Sequence, residues 1–194
     1  MRTKFFTGQG DSGKSFVGGK KFAKSEDFFE LIGVLDELNS WLGVSRAAAA
    51  AFDKKNRSGS WRLTAEIGRL QNLVFIAQAE FAAERFGYPN GPKISRPHTD
   101  FLEELISRID RELPPLTKFV ISGGSELSAQ LDFARTLARR AEREAVKFAV
   151  KKKSLAVRSA GALQFLNRLS SALFALARYV NFKLKIKELN PDYR

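Results

Sequence analysis

The sequence predicts an all-α fold, an antiparallel bundle of five helices in a single domain. Apolar residues recur at intervals of three and four in five separate stretches of the chain. Short polar or proline-containing connections separate these stretches, and no stretch shows the alternation typical of strands or an internal repeat. With 194 residues, 44% of them hydrophobic and 28% charged, the chain is long enough to bury one core. We therefore predict one domain over residues 1–194, with the bundle at residues 25–190 and a glycine- and lysine-rich segment at residues 1–24.

The first two helices are predicted on either side of a polar connection at residues 53–60. The first begins near Ser25 and ends in the alanine run at residues 47–51. The second ends before the glycine- and proline-rich stretch at residues 87–92, which is typical of a loop. Their core-facing positions are Phe28, Leu31, Leu35, Leu38 and Leu42 in the first helix, and Leu63, Ile67, Leu70, Val74, Ala77 and Phe81 in the second.

The third and fifth helices are predicted from the same spacing. The third is short and is closed by Pro114 and Pro115, because proline lacks the amide donor that a helix interior requires. The fifth begins near Ser159 and runs towards Leu189, before Pro191. Their core-facing positions are Phe101, Leu105, Ile106 and Ile109 in the third helix, and Phe165, Leu166, Leu169, Leu173, Leu176 and Val180 in the fifth.

The fourth helix follows a sharp break in the chain. A short apolar run at residues 119–121 stops at the Ser-Gly-Gly sequence of residues 122–124. Ser125 is then predicted to cap the helix, with Glu126 near the positive end of its dipole. The core-facing positions that follow are Leu127, Leu131, Ala134, Leu137, Ala138 and Ala141.

Three arginines lie beside this apolar stripe, each four residues from the next: Arg135, Arg139 and Arg143. Like charges at that spacing repel one another on an isolated helix. One interpretation is a solvated basic ridge, partly relieved by Glu142 and Glu144. The other is that the guanidinium groups meet an anion, either a buried carboxylate or a polyphosphate. The spacing alone does not decide between them.

Composition narrows the class of protein. The absence of cysteine excludes disulfide and thiolate chemistry and favours a reducing, cytoplasmic location. The one histidine, His98, excludes a multi-histidine metal site within one chain, and its place after Pro97 indicates a surface or capping residue. We expect neither a membrane span nor a signal peptide, because the apolar runs are short and interrupted by charges. The net charge of +12 favours an anionic partner, whether nucleic acid, nucleotide or membrane surface.

The segment from Gly8 to Ser15 fits the P-loop pattern of glycine, four residues, then Gly-Lys-Ser. The context argues against a true P-loop, because no strand of normal length precedes it and no helix pattern follows it. One interpretation is a basic tail without fixed structure. The alternative is a polyphosphate site, since flexible glycines and hydroxyl groups are combined with the amines of Lys14, Lys20, Lys21 and Lys24.

Read in order, the segments of the chain resemble the PduO-type ATP:cob(I)alamin adenosyltransferases. Six blocks carry the resemblance and together span nearly the whole chain. They are Thr7 with Gly10-Asp11-x-Gly13 and the element at 19–24; Gly33-x-x-Asp36-Glu37-Leu38-Asn39-Ser40; Phe119-Val120-Ile121-x-Gly123-Gly124; Ala134-Arg135-Thr136-x-x-Arg139-Arg140-Ala141-Glu142-Arg143; Leu166-Asn167-Arg168-Leu169-Ser170; and Ala177-Arg178-Tyr179-x-Asn181.

The resemblance implies a five-helix bundle assembled as a homotrimer, with active sites between subunits and the N-terminal segment holding ATP. It implies transfer of the 5′-deoxyadenosyl group of ATP to cob(I)alamin, with Mg²⁺ on the phosphates and release of triphosphate. A corrinoid reductase and an adenosylcobalamin-dependent acceptor enzyme are possible partners. Neither nucleic acid nor membrane is implied.

The resemblance also implies roles for individual residues. Arg135 would pair with Asp36 across the subunit interface, and Phe119 would cover the lower face of the corrin and displace its axial ligand. Phe174 would line the same pocket, although core packing explains it equally well. A second possibility for Phe119 is likewise a ring packed beneath its loop. The ATP site would contain Thr7, Gly8, Gln9, Gly10, Ser15, Lys24, Arg139, Glu142, Arg143 and Asn167.

Four positions depart from the family pattern and leave the level of activity open: Ser12, Ile32, Ser122 and Ser171. An inactive nucleotide- or corrinoid-binding paralogue is therefore one alternative. Another, from a different class, is a basic helical nucleic-acid-binding protein, favoured by the lysines at 151–153 and at 183, 185 and 187. Against it, these lysines are scattered, and no helix-turn-helix or base-stacking pattern is present.

Overall fold

The computed structural model describes residues 5–6, 8–17, 19–56, 61–88, 90–151 and 160–194. Within these ranges the chain forms five helices, which confirms the predicted fold class. Thr7 and Ser159, both named in the sequence predictions, lie outside the described residues, as do most of the lysines at 151–153. The helices are α1 (Asp27–Lys55), α2 (Leu63–Phe86), α3 (Arg96–Asp110), α4 (Glu126–Lys151) and α5 (Ala160–Lys183).

The helices pack around a single core in which α1 lies between α2 and α4, and α5 lies between α4 and α3. The leucine positions predicted to face inward are buried, as are the large rings of Phe81 and Phe165. Cross-helix contacts show that α1 and α4 are antiparallel, because Trp41 donates to the carbonyl of Gln130 while Asp27 pairs with Lys147.

One neighbouring pair departs from the antiparallel prediction, since α3 and α5 run in the same direction. Glu103 pairs with Arg168 near the middle of this pair, and Glu112 pairs with Lys183 near its end. Successive helices do alternate in direction along the chain. Because the number of helices is odd, a closed ring of alternating helices must contain a parallel pair.

Two helix ends differ from the prediction. Helix α1 continues past the alanine run to Lys55, as the high helix propensity of alanine allows. Helix α5 ends at Lys183 and does not run on to Leu189. Lys185 adopts a left-handed backbone conformation with φ of 55°, and the amide of Ile186 donates to the carbonyl of Asn181. This pattern of bonds closes a helix and turns the chain away from its axis.

The N-terminal segment is not irregular throughout, so the prediction of no strands is wrong there. Strand β1 (Lys14–Val17) pairs with strand β2 (Lys20–Ala23) in an antiparallel hairpin, with Ser15 opposite Phe22. Gly19 has a φ of 77°, a left-handed conformation that glycine adopts readily, and a Gly-Gly sequence such as that at 18–19 is typical of two-residue hairpins. The ring of Phe22 fastens the hairpin to the bundle, 5.1 Å from Phe86 between ring centroids.

A buried carboxylate of α2 binds the connection between α2 and α3. Glu80 is 2% exposed, and its Oε2 accepts a hydrogen bond of 2.7 Å from the amide of Ile94. Burial raises the pKa of Glu80, because it disfavours the charged form. His98 caps the start of α3, where its Nδ1 accepts from the amide of Ser95, which confirms its predicted place.

Candidate functional site

A cavity of about 660 Å³ opens between α3, α4, α5 and the connection that leads into α4. Its volume falls in the range of pockets that hold small molecules and cofactors. Most of the wall is apolar, and its polar part comes from three arginines, three serines and the carboxylate of Asp110. The lining residues are Ile106, Ile109, Asp110, Leu113, Leu116, Phe119, Val120, Ser122, Arg135, Arg139, Ser170, Ser171, Phe174, Ala175 and Arg178.

Phe119 lies at the rim of this cavity. Its side chain is 79% exposed, so the alternative of a ring packed beneath the loop is wrong. Phe174, from α5, lines the same cavity and is half-buried, and the guanidinium carbon of Arg135 lies 6.0 Å from its ring centroid. The structure thus brings together both phenylalanines that the sequence associated with one pocket.

The chain turns sharply at Gly123 and Gly124, between the loop that carries Phe119 and the start of α4. Ser125 caps α4 as predicted, its Oγ accepting from the amide of Ser128. Both glycines have positive φ, of 119° and 112°. At Gly124 an added Cβ would lie 2.4 Å from Oδ1 of Asn181, so a side chain cannot be placed there without moving Asn181. Asn181 in turn donates to the carbonyl of Gly123 at 2.7 Å.

Arg135 is held within the chain by Asp132, a residue that the sequence analysis missed. Nε of Arg135 donates to Oδ1 of the largely buried Asp132 at 3.2 Å, and the amide of Gly123 donates to the other carboxylate oxygen at 3.1 Å. One carboxylate therefore links the arginine to the loop. The signal was present in the sequence, since an aspartate three residues before an arginine lies on the same helix face.

Asp36 is exposed on α1. Among the described residues it makes no hydrogen bond or ion pair. The predicted pair of Asp36 with Arg135 is therefore not formed within one chain. It would require a second subunit.

Among the described residues, the two other arginines of the ridge have no acidic partner. In the described part of the chain, the side chain of Arg139 makes no hydrogen bond or ion pair, although it faces the cavity. Arg143 donates only to the carbonyl of Arg139, one turn earlier on the same helix. The two acids expected to relieve the ridge are engaged elsewhere, Glu142 with Asn167 and Glu144 with Lys147. Neither glutamate therefore pairs with Arg139 or Arg143 among the described residues, and both arginines are exposed.

Glu142 and Asn167 are brought together across α4 and α5. Nδ2 of Asn167 donates to Oε1 of Glu142 at 2.8 Å, and Oδ1 of Asn167 accepts from Arg168. Both residues belong to the predicted nucleotide set. On α4, Arg139 of the cavity wall lies three residues before Glu142, about one turn, and Arg143 directly follows it.

The glycine-rich loop of residues 8–13 precedes the hairpin, and Lys24, which follows the hairpin, makes two hydrogen bonds to it. Nζ of Lys24 donates to the carbonyl of Gly10 at 3.1 Å, and its amide donates to the carbonyl of Gly13 at 2.9 Å. Gly8 and Gln9 are exposed, and Ser15 is half-buried in β1. Lys24 and Ser15 make no hydrogen bond or ion pair with the polar residues of α4 and α5 in the ranges described.

Loop and cavity lie towards opposite ends of the bundle in one chain. The hairpin packs where α1 begins and α2 ends, whereas Phe119 lies where α4 begins and α5 ends. Helix α4 has 26 residues, so these ends are roughly 39 Å apart at 1.5 Å per residue. A single chain therefore does not place its own glycine loop beside its own Phe119.

The described residues contain no helix that is long and apolar enough to cross a membrane. They also contain no group of three or more histidine, cysteine, aspartate or glutamate side chains that could hold a metal ion.

Comparison with known proteins gives consistent matches. Residues 5–180 match the family described as cobalamin adenosyltransferase. The chain is 35% identical over 188 residues to the corrinoid adenosyltransferase of Bacillus subtilis, covering 96% of this chain and 91% of that protein.

Two solved structures of the PduO-type ATP:corrinoid adenosyltransferase from Lactobacillus reuteri are also similar. An arginine-to-lysine variant complexed with ATP has a TM-score of 0.82 at 29% identity, covering 97% of this chain and 100% of that one. A phenylalanine-to-alanine variant complexed with cobalamin and ATP has a TM-score of 0.79 at 30% identity, covering 97% and 99%.

Proposed function

Because the chain belongs to the cobalamin adenosyltransferase family, we propose that it transfers the 5′-deoxyadenosyl group of ATP to a reduced corrinoid held in its cavity. The observation that carries this proposal is Arg139, an arginine in the cavity wall with no acidic partner in the described chain. An unneutralised guanidinium beside an apolar pocket suits a polyphosphate whose sugar end reaches a large apolar substrate.

The proposed reaction does not require a protein side chain to act as a nucleophile or a base. The cobalt(I) of the substrate supplies an electron pair to C5′ of ATP, so that a cobalt–carbon bond forms. The bond between C5′ and its oxygen breaks, and triphosphate leaves with that electron pair. No general base is needed, which suits a chain with one histidine and no cysteine. The tasks left to the protein are to align C5′ with cobalt and to stabilise the leaving negative charge.

Arg139 and Arg143 are placed to stabilise that charge. They are one turn apart on α4, exposed, and not neutralised by Glu142 or Glu144. The pair of Glu142 and Asn167 would hold the nucleotide beside them, with Gly8, Gln9, Gly10, Ser15 and Lys24 binding it from the glycine loop. Thr7 is proposed for the same loop on the resemblance alone.

Mg²⁺ fits this arrangement as a companion of the nucleotide. The ion usually keeps several waters and binds through one or two carboxylates plus phosphate oxygens. Glu142 is one carboxylate within the proposed phosphate site, and the described residues offer no larger acidic cluster. Bound there, Mg²⁺ would neutralise phosphate charge, while Glu142 would orient it and Arg139 would supply the remaining positive charge.

Phe119 is proposed to cover the lower face of the corrin and to exclude its axial ligand. Its ring lies at the cavity rim and is 79% exposed, so little packing is lost when a substrate arrives. Phe174 would contact the corrin from the opposite wall. Removal of the axial ligand makes reduction to cobalt(I) easier, so this ring would act on the step that precedes transfer.

Assembly as a homotrimer is part of the proposal. The separation of glycine loop and cavity in one chain favours a site completed by a neighbouring subunit, and Asp36 is free to pair with Arg135 of that subunit. A corrinoid reductase would supply cobalt(I), and an adenosylcobalamin-dependent enzyme would accept the product. We propose a cytoplasmic location, where reducing conditions suit such a substrate.

The test is an anaerobic assay with ATP, Mg²⁺ and chemically reduced cobalamin, followed by the visible spectrum of adenosylcobalamin. The expected result is product that depends on ATP, with triphosphate released in equal amount. Binding of ATP without product would favour an inactive paralogue. Binding to nucleic acid that falls steeply with salt and ignores ATP would favour the nucleic-acid hypothesis.

A further inference from the structure

We propose that the C-terminal tail, residues 186–190, positions Phe119 through two residues, Glu188 and Asn190, neither of which touches the cavity. Its consequence for catalysis rests on the role proposed above for Phe119. The inference concerns how the loop is held and goes beyond which ring faces the corrin. It arises from contacts that join the chain terminus to the backbone on either side of Val120.

The tail begins with a fixed change of direction. Lys185 has a φ of 55°, and the amide of Ile186 donates to the carbonyl of Asn181 at 2.9 Å. A left-handed residue at this point sends the chain back past the end of α5. The tail therefore leaves the helix in a defined direction, towards the connection that carries Phe119.

Glu188 anchors the tail to the bundle. Both of its carboxylate oxygens accept from Arg178 of α5, with Nε and Nη2 each 3.1 Å away. The side chain of Arg178 is only 11% exposed, so this paired contact is shielded from solvent. Two parallel bonds between a guanidinium and a carboxylate fix orientation as well as distance.

Beyond this anchor, the tail forms hydrogen bonds with two alternate residues of the loop, Phe119 and Ile121. The amide of Ile121 donates to the carbonyl of Leu189 at 2.8 Å, and Nδ2 of Asn190 donates to the carbonyl of Phe119 at 2.8 Å. Among the described residues these are the only hydrogen bonds made by the backbone of residues 119–121.

The ring of Phe119 cannot hold itself in place, because most of its surface is exposed. Its loop is fixed at the far end, where Asn181 and Asp132 bind the two backbone groups of Gly123. At the near end, among the described residues, the bonds to its backbone come from the tail. A catalytic group needs placement to within about 0.5 Å, and a displacement of about 1 Å can cost roughly a hundredfold in rate. The tail is thus the element that fixes the position of the Phe119 ring at the cavity rim.

The test uses Asn190→Asp, which has the same shape but no donor for the carbonyl of Phe119, and Asn190→Ala, which removes the group without adding charge. Glu188→Ala releases the anchor. The matched control is Asp192→Asn in the same tail, since Asp192 contacts only Arg194 among the described residues. Each variant is measured for formation of four-coordinate cob(II)alamin with ATP, for kcat and KM with ATP, and for Tm.

We expect both Asn190 variants and Glu188→Ala to lose about tenfold or more in four-coordinate cob(II)alamin and in kcat. The KM for ATP should match the wild type in all three, and the Tm should match it in both Asn190 variants. Glu188→Ala should also lower the Tm, because it leaves the shielded guanidinium of Arg178 without its carboxylate. Every property of Asp192→Asn should match the wild type. Wild-type spectra from Asn190→Ala and Glu188→Ala would overturn the proposal. So would a defect confined to Asn190→Asp, because that would be an effect of charge.

A second readout separates this inference from the proposed function. Amide hydrogen exchange at Ile121 reports its bond to Leu189 whether or not the protein turns over. We expect exchange at least tenfold faster in Glu188→Ala and Asn190→Ala. If wild-type protein makes no adenosylcobalamin, the proposed function fails, and unchanged exchange in these variants would overturn the tail's role independently.

Discussion

Substitution of Phe119 by alanine separates a functional ring from a structural one. The side chain is 79% exposed, which leaves about a fifth of its surface buried. Full burial of a phenylalanine stabilises a protein by about 1.5–3 kcal/mol, so Phe119→Ala should reduce the free energy of unfolding by only about 0.3–0.6 kcal/mol. For a chain of this size that is a fall in Tm of roughly 1–2 °C.

Phe165 supplies the matched control, because its side chain is fully buried. Phe165→Ala should reduce the free energy of unfolding by about 3–5 kcal/mol, as large-to-small changes in cores do. The two variants delete the same group at a rim and in a core. A comparison of their Tm values tests the placement of Phe119 before any activity is measured.

The functional assay follows cob(II)alamin in the presence of ATP. Phe119→Ala should bind ATP as the wild type does, lose the spectrum of the four-coordinate species, and turn over far more slowly. Two results would refute the reasoning. One is unfolding of Phe119→Ala to the same extent as Phe165→Ala, and the other is a wild-type four-coordinate spectrum.

Three further predictions concern charged groups. Arg139→Ala should abolish adenosyl transfer and leave the helical circular dichroism intact, and wild-type turnover would show that it does not stabilise the triphosphate. The wild type should sediment as a trimer, and Asp36→Ala should weaken the trimer, lose activity, or both; an active monomeric wild type would contradict this. Burial raises the pKa of Glu80 above its ordinary 4.5, so the folded chain holds that proton more tightly and the free energy of unfolding falls as pH rises through that range. Glu80→Gln should flatten this dependence in denaturation measured from pH 4 to 8, whereas Glu80→Ala should cost about 1–3 kcal/mol by leaving the amide of Ile94 unpaired; an unchanged slope in Glu80→Gln would refute the assignment.

The helices were predictable because burial repeats with the helical period, and positions such as Leu35 and Leu169 are fully buried as expected. Their ends were less predictable, since they depend on contacts that spacing does not encode. Lys185 ends α5 in a left-handed conformation that a sequence usually signals with glycine. The hairpin was missed because strands of four residues give too short an alternation to count.

Much the same holds for the candidate site. The ridge of Arg139 and Arg143 was visible in the sequence, but only the structure shows that Glu142 and Glu144 bind elsewhere. Asn190 could not have been found, because the tail was predicted to continue the fifth helix. A side chain that binds a distant backbone carbonyl leaves no periodic trace in a sequence.

The parallel pair of α3 and α5 also fixes how far one helix can slide along the other. Like ends of two helix dipoles, half a charge each and about 10 Å apart, repel by only about 0.4 kcal/mol at an effective dielectric constant of about 20. Cross-helix pairs offset that cost, with Glu103 and Glu112 on the side of α3 and Arg168 and Lys183 on α5. A shift of one helix along the other by one turn, about 5.4 Å, would separate both pairs at once. These charge pairs thus help to fix the position of α3 along α5. They therefore also help to fix the point at which the connection towards Phe119 begins.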